Sequence, residues 1–289
     1  MSQSVAKEAI PPPPADESTT GDSALPGRAR GGRSSSRRLA VLWATRIAVL
    51  VLLLGLWQLA VSSGLVDPFW ISSPALVAER LGEYVGQASF WTDFSFTARE
   101  VIFGVVLGGV TGIVSGFAFG YAQGAFQAVQ PIIAGLYTLP RVALAPLFVI
   151  WFGIGITSKV ALVVSIVYFI TLINTYEGVR QVDQDLRDSV RTMGASRLFL
   201  TWHVMIPACT PWIITGLRFG FIYGIGGAIV GEMLIAEHGL GLILTQSSNA
   251  FDTTGVFAVL LVIGLFGGLA DLALSLVDKK MLAWNRPVE

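Results

Sequence analysis

The sequence predicts an all-α, polytopic membrane protein with six transmembrane helices, and three observations carry that prediction. Of 289 residues, 53% are hydrophobic and only 13% charged, against about 25% charged in a soluble domain. Several apolar runs reach the roughly 17–25 residues that a helix needs to cross a bilayer. The 32 glycines suit packed membrane helices, whose backbones approach closely where side chains are small. A net charge of zero gives no reason to expect nucleic acid as a partner. The lone Cys209 supplies neither a disulfide framework nor a metal-spaced pair.

Residues 1–38 differ in kind. They hold Pro11–Pro14, then Ser, Thr and Gly, then Arg28, Arg30, Arg33, Arg37 and Arg38, which reads as a disordered, basic and proline-rich cytoplasmic tail. The apolar run that follows, 39–62, is too long for the core of a signal peptide and is expected to be an uncleaved first span. Residues 39–289 then form the transmembrane domain. Further spans are expected at 98–121, 128–152, 158–176, 208–232 and 254–277. Pro131, Pro140 and Pro146 interrupt the third; proline removes a backbone donor and kinks a helix, which protein-facing membrane helices tolerate. Pro211 lies near the start of the fifth, where the missing donor costs little. Only GIGITSK separates the third from the fourth, so a tight turn is expected there.

The segment 63–97 carries a helix signal of its own. Ser73 is placed to cap a helix over 75–84, with Pro74 at its first position. Leu76, Val77, Leu81 and Val85 form one apolar stripe. Glu79, Glu83 and Asp93 either meet an extracytoplasmic partner or form a solvated face. Trp43, Trp57, Trp70, Trp91, Trp151 and Trp284 fall close to predicted span ends, as in an aromatic belt.

Lysine and arginine orient the spans. With the N-terminus inside, the cytoplasmic segments hold thirteen of these residues and the outer segments three, Arg80, Arg99 and Lys159. Positive charge accumulates on the cytoplasmic side, so both termini and the segment 178–207 are cytoplasmic. That segment reads as two short helices. Asp183–Val190 carries Leu186 and Val190 on one side and Asp183, Arg187 and Arg191 on another. Gly194 breaks the pattern. Ser196–Val204 carries Leu198, Phe199 and Trp202, and Pro207 is expected to end it before the fifth span.

The loop and the stretches around it resemble a known family, the inner-membrane permease subunits of bacterial ATP-binding-cassette importers. The family's coupling loop has the pattern Glu-Ala-Ala, three residues, Gly, nine residues, Ile, one residue, Leu-Pro. The matching positions here are Asp188-Ser189-Val190, Gly194 followed by Ala195, Val204 and Ile206-Pro207. Asp188 keeps the carboxylate, whereas Ser189 and Val190 depart from the small alanines. Within the family the chain looks like the nitrate, sulfonate, taurine and bicarbonate subfamily, and most like its aliphatic-sulfonate members. WQLAVSSG at 57–64, SSP at 72–74, LPRVALAPLFVIWFGIG at 139–155, INTYEGVRQVD at 173–183, VGEML at 230–234 and WNRP at 284–287 carry that likeness.

The resemblance implies a binding-protein-dependent, type I, MetI-like permease fold in a bacterial inner membrane. It implies a second permease copy as a homodimer partner, two ATP-binding-cassette ATPase subunits beneath, and an extracytoplasmic solute-binding protein. It gives the loop residues a role in coupling: Gly194 lets the chain turn where a side chain would collide, and Pro207 keeps the loop rigid against the fifth span. The solute implied is a small anion, an aliphatic sulfonate first, with taurine, nitrate, bicarbonate or a vitamin precursor as alternatives. A membrane scaffold that recruits a partner through the loop is the alternative of another class.

No Gly-x-x-x-x-Gly-Lys-[Ser/Thr] sequence occurs, so no nucleotide site of that kind is expected. No cofactor, metal site or catalytic residue is expected either, and His203 and His238 are far apart in sequence. Among polar residues in the spans, Arg218 either attracts an anion to the pathway or snorkels to the inner surface. Arg141, behind Pro140, is the alternative positive group and otherwise pairs structurally. Tyr168 and Tyr223 are candidates for the pathway or for packing. Glu232 would repel an anion, and its reading is a gate or a contact with a neighbour. Asn174 is expected to hydrogen-bond between helices.

Overall fold

A computed structural model describes the backbone of residues 32–281 and the side chains of 40–276 and Asp278. Most of the predicted tail, Trp284, Arg286 and the stretch 284–287 lie outside the residues so described, as do the side chains of Lys279 and Lys280. Among the described residues the secondary structure is all helical: α1 Gly32–Ser62, α2 Pro68–Ile71, α3 Pro74–Val85, α4 Ala88–Tyr121, α5 Gln123–Thr138, α6 Ala145–Phe152, α7 Ile156–Gln181, α8 Gln184–Thr192, α9 Arg197–Leu200, α10 Ile206–Leu234, α11 Leu240–Asn249 and α12 Thr253–Met281. A 3₁₀ turn, Arg141–Leu144, precedes α6, and a π turn, Thr201–Met205, precedes α10. The chain divides at Leu53/Leu54 into two units. The first contains the opening part of α1, which begins at Gly32, ahead of its apolar membrane-spanning stretch Ala40–Ser62. Everything below concerns the second.

Among the described residues five helices are long and apolar enough to cross a membrane singly, and α5 with α6 forms a bent sixth, broken by 81°. The break falls where the prolines predicted trouble. Pro131 is carried inside α5, whereas Leu139-Pro140 leaves the helix in extended conformation. This broken element crosses the bilayer. The end of α4 lies at the loop, where Tyr121 Oη is 2.7 Å from Thr201 Oγ1, and α7 runs into the loop at Gln181. The start of α7 is therefore on the far side, and the chain between α4 and α7 must traverse.

The packing centre is α7, gripped between α4 and α10. Gly104, Gly108, Gly112, Gly116 and Gly120 recur every fourth residue on α4 and are the contact surface for α7. A methyl group at Gly112 would lie 2.7 Å from the carbonyl oxygen of Tyr168, and one at Gly108 would lie 2.9 Å from that of Val164. Gly216, Gly220 and Gly224 of α10 take the other side of α7, against Thr171, Asn174, Val167 and Val163. Small residues at this spacing let van der Waals contact between backbones replace the hydrophobic force that lipid does not supply. By contrast, α12 buries only 11% of its most apolar window.

On the outer side, α3 forms as the sequence predicted. Ser73 Oγ accepts from Leu76 N at 3.3 Å and Pro74 takes the first turn. Arg80 binds Asp252 at 2.6 Å and Glu83 at 3.1 Å, which ties α3 to the start of α12. Glu83 therefore has an internal partner. Asp93 accepts from Gly239 N at 3.1 Å and from His238 Nδ1 at 3.2 Å.

Candidate functional site: the cytoplasmic loop and the membrane cavity

The loop is built on an apolar base with a bare tip. Asp183 caps α8 by accepting from Asp185 N at 2.9 Å. Gly194 ends the turn after α8 at φ +85°, a conformation that L side chains resist. Its N–H bonds Arg191 O at 2.9 Å, and Ala195 N bonds Val190 O at 3.3 Å. Ser196 Oγ then accepts from Phe199 N at 3.2 Å and starts α9. Beneath, Val179, Val182, Leu200, Met205 and Cys209 are buried together, with Val190 and Val204 packed on them. Above, Met193, Leu198 and Trp202 are 85%, 69% and 62% exposed. Asp188 is exposed, and 3.9 Å separates it from Arg191. The motif residues thus divide. Val190 and Val204 fasten the loop, while Asp188, Ser189 and Gly194 face outward.

Pro207 does not end the second helix of the loop. The helical path runs without a break from Arg197 to Leu234. The reason lies in the π turn: Ile206 N–H reaches back five residues to Thr201 O. A widened turn absorbs both the missing proline N–H and the ring's clash with the carbonyl four residues earlier. Residues of the 178–207 loop and the wall of the membrane cavity therefore share one element.

Gly194→Glu is expected to leave the protein inserted and folded while abolishing association with a cytoplasmic partner. No atom lies within 4 Å of a Cβ built there, so within the chain the first cost is the backbone conformation, about 1–2 kcal/mol. Gly194→Ala carries the same backbone cost without bulk or charge. Partner co-purification, normalised to the level of this chain, should fall steeply for Glu and slightly for Ala; equal retention would remove the loop from the interface.

A cavity of about 600 Å³ lies between the broken span, α7 and α10. Tyr137, Arg141, Ile166, Ile170, Tyr223 and Gly227 are among its walls. The 81° break places Arg141 there. Its guanidinium carbon sits 4.6 Å from the Phe169 ring centre and 5.1 Å from that of Tyr137. Its one protein hydrogen bond runs to Leu136 O at 3.5 Å, and among the described residues it has no ion-pair partner. A cation held by aromatic faces keeps donors for a ligand.

Of the other predicted pathway residues, Tyr223 shares this cavity, whereas Tyr168 and Arg218 do not line it. Tyr168 donates to Ser115 Oγ at 3.3 Å within the α4–α7 contact. Arg218 is not among the walls of the cavity; its Nε is 2.5 Å from Asp271 Oδ1 on α12. Asn174 bonds Ile170 O of its own helix at 2.8 Å, not a neighbouring helix, because Gly216 brings α10 too close for another partner to enter.

Glu232 is buried and fastens α11. Its carboxylate accepts from Thr97 Oγ1 and from Gly241 N, each at 2.7 Å, and Thr97 Oγ1 accepts in turn from Leu240 N at 2.9 Å. Glu100 and Lys159 are buried in the same region. Thr97, Glu100, Tyr137 and Phe169 were not legible as site residues in the sequence. Phe169 is one residue from Tyr168, and that step turns about 100° around a helix, which decides which ring meets Arg141.

Residues 108–283 match the model of the family described as "Binding-protein-dependent transport system inner membrane component". The formylaminopyrimidine transport permease ThiX of Halalkalibacterium halodurans is 30% identical over 82% of this chain and 94% of its own. The riboflavin transport system permease RibX of Chloroflexus aurantiacus is 34% identical over 82% and 88%. The taurine transport system permease TauC of Escherichia coli is 29% identical over 88% and 96%. Among solved structures, an inward-facing conformation of the MetNI methionine ABC transporter aligns at a TM-score of 0.57 and 18% identity, covering 67% of this chain and 94% of that one. An all-helical bundle around a glycine-packed α7, with a fastened loop on its inner face, thus coincides with a family match over most of the chain, and the protein belongs to the binding-protein-dependent transport system inner membrane components.

Proposed function

We propose that this permease subunit forms, with a second copy of itself, the membrane pathway for a small anionic solute of the sulfonate class. Two separate ATPase subunits bind the 178–207 loop and drive it, and an extracytoplasmic binding protein delivers the solute. The observation that carries the solute reading is Arg141, a cation on two aromatic rings in an otherwise apolar cavity. A sulfonate offers the charge and acceptor oxygens that a guanidinium fork binds, and relatives are named for taurine and for aliphatic sulfonates. The aromatic surround also suits a flat heterocycle, and other relatives are named for such cargo.

Uptake by the reconstituted complex separates these readings. An alkanesulfonate, taurine, a formylaminopyrimidine and riboflavin are to be compared, each with its binding protein. Arg141→Gln should lower sulfonate uptake about tenfold, since a hydrogen bond to a charged group contributes roughly 1.5–3 kcal/mol. Arg141→Lys should retain part of it. Transport of riboflavin or the pyrimidine with no sulfonate uptake would overturn the anion reading while leaving the permease assignment untouched.

A further inference from the structure

We propose that the inner end of the bundle binds one anionic phospholipid, with an acyl chain in the groove between α4, α10 and α12 and its phosphate on Arg191 and Arg197. Two cavities of about 540 Å³ each lie there, and Thr201 lines both. The first is walled by Val114, Phe117, Ile206, Ile213, Leu217 and Leu274, among others. Its threonine hydroxyls are turned away from a ligand. Thr210 Oγ1 donates to Ile206 O at 2.9 Å. Thr201 Oγ1 donates to Arg197 O at 2.8 Å and so accepts its second bond, of 2.7 Å, from Tyr121 Oη. An apolar cavity of this kind excludes water, and the medium beside it is hydrocarbon.

The second cavity has the opposite chemistry. Tyr121, Arg191 and Arg197 line it. Among the described residues Arg197 has no ion pair. Arg191 has only Asp188 at 3.9 Å, with both side chains more than half exposed, which leaves most of its charge unspent. An apolar slot and a basic basin that share Thr201 as a wall, at the cytoplasmic end of membrane helices, fit an amphiphile whose head is an anion. Basic pockets between helices on that side bind anionic head groups. The lipid-facing character of α12, which closes the slot through Leu274, gives the chain a route in. A bound lipid would tie the loop to α4 and α10 at the π turn.

The test uses the purified full-length permease in detergent, titrated with phosphatidylglycerol and, separately, with phosphatidylcholine, with bound lipids counted by native mass spectrometry. One phosphatidylglycerol per chain should bind in preference to phosphatidylcholine and should survive excess inorganic phosphate. Arg191→Gln with Arg197→Gln should weaken it about tenfold or more. Val114→Phe, which fills the slot and leaves both arginines, should weaken it as well. Equal binding of the two lipids, displacement by phosphate alone, or wild-type affinity in either variant would overturn the proposal. Co-purification of ATPase subunits is read on the same variants. Loss of ATPase with lipid affinity unchanged would assign the arginines to that partner and not to a lipid.

Discussion

Gly112→Leu is expected to leave little folded permease in the membrane. The substituted Cβ would lie 2.7 Å from the Tyr168 carbonyl oxygen and 2.9 Å from Thr171 Cβ, so backbone must yield where a side chain cannot. Overpacking of a fitted contact costs roughly 1–3 kcal/mol, and the remaining carbons of leucine push the helices further apart. A change of about 3 kcal/mol corresponds to about 6–12 °C in melting temperature for a protein of this size. Gly268→Ala is the control, because nothing lies within 4 Å of a Cβ there and alanine is the better helix former. Thermal stability in detergent, followed by monodispersity, reads both. A Gly112→Leu protein as stable as wild type would mean that α4 and α7 do not meet through this stripe.

The second large effect is expected at the charge pair between α10 and α12. Arg218 lies twelve residues beyond Ile206, about 18 Å along the helix, well inside a hydrocarbon core about 30 Å thick. Asp271 is its partner at 2.5 Å. Asp271→Leu strands the guanidinium and Arg218→Leu strands the carboxylate; an unpaired charge at such depth costs about 2.5–3.5 kcal/mol. Each single variant should lower the yield of inserted, protease-resistant protein severely. Arg218→Leu with Asp271→Leu should recover most of it, because the double change removes both charges. The same double variant should transport normally if Arg218 holds α12 and takes no part in the pathway; loss of uptake with full stability would return Arg218 to the solute.

What could be read from the sequence follows the physics of each signal. Hydropathy over twenty residues is a sum, so the spans survive local error, and the cap at Ser73 needs only two neighbours to be recognised. The loop's two short helices and its break at Gly194 were equally legible, because helix stops are local. Pro207 was misread because its consequence depends on Thr201, six residues earlier, offering a carbonyl to a widened turn. The partner of Arg218 was not legible because a charge in a span has no local sign of its partner, and Asp271 lies on another helix. The four-residue glycine period was visible in the chain, but which helix it faced was not. Glu232 looked like a residue at a helix end; only the return of Gly239–Gly241 to α10 makes it a cap.

The unbroken path from Arg197 to Leu234 has a mechanical consequence. Its 38 residues measure about 57 Å at 1.5 Å per residue. A rod of that length converts angle into distance: a tilt of about 5° about one end moves the other by about 5 Å. One end carries the exposed tip of the loop, and the other is clamped by the Glu232 bonds. Tyr223, Gly226 and Gly227 lie on the rod between them. A displacement imposed on the inner end would be carried along this rod toward the cavity wall, and the widened turn at Thr201–Met205 lies between the loop tip and α10.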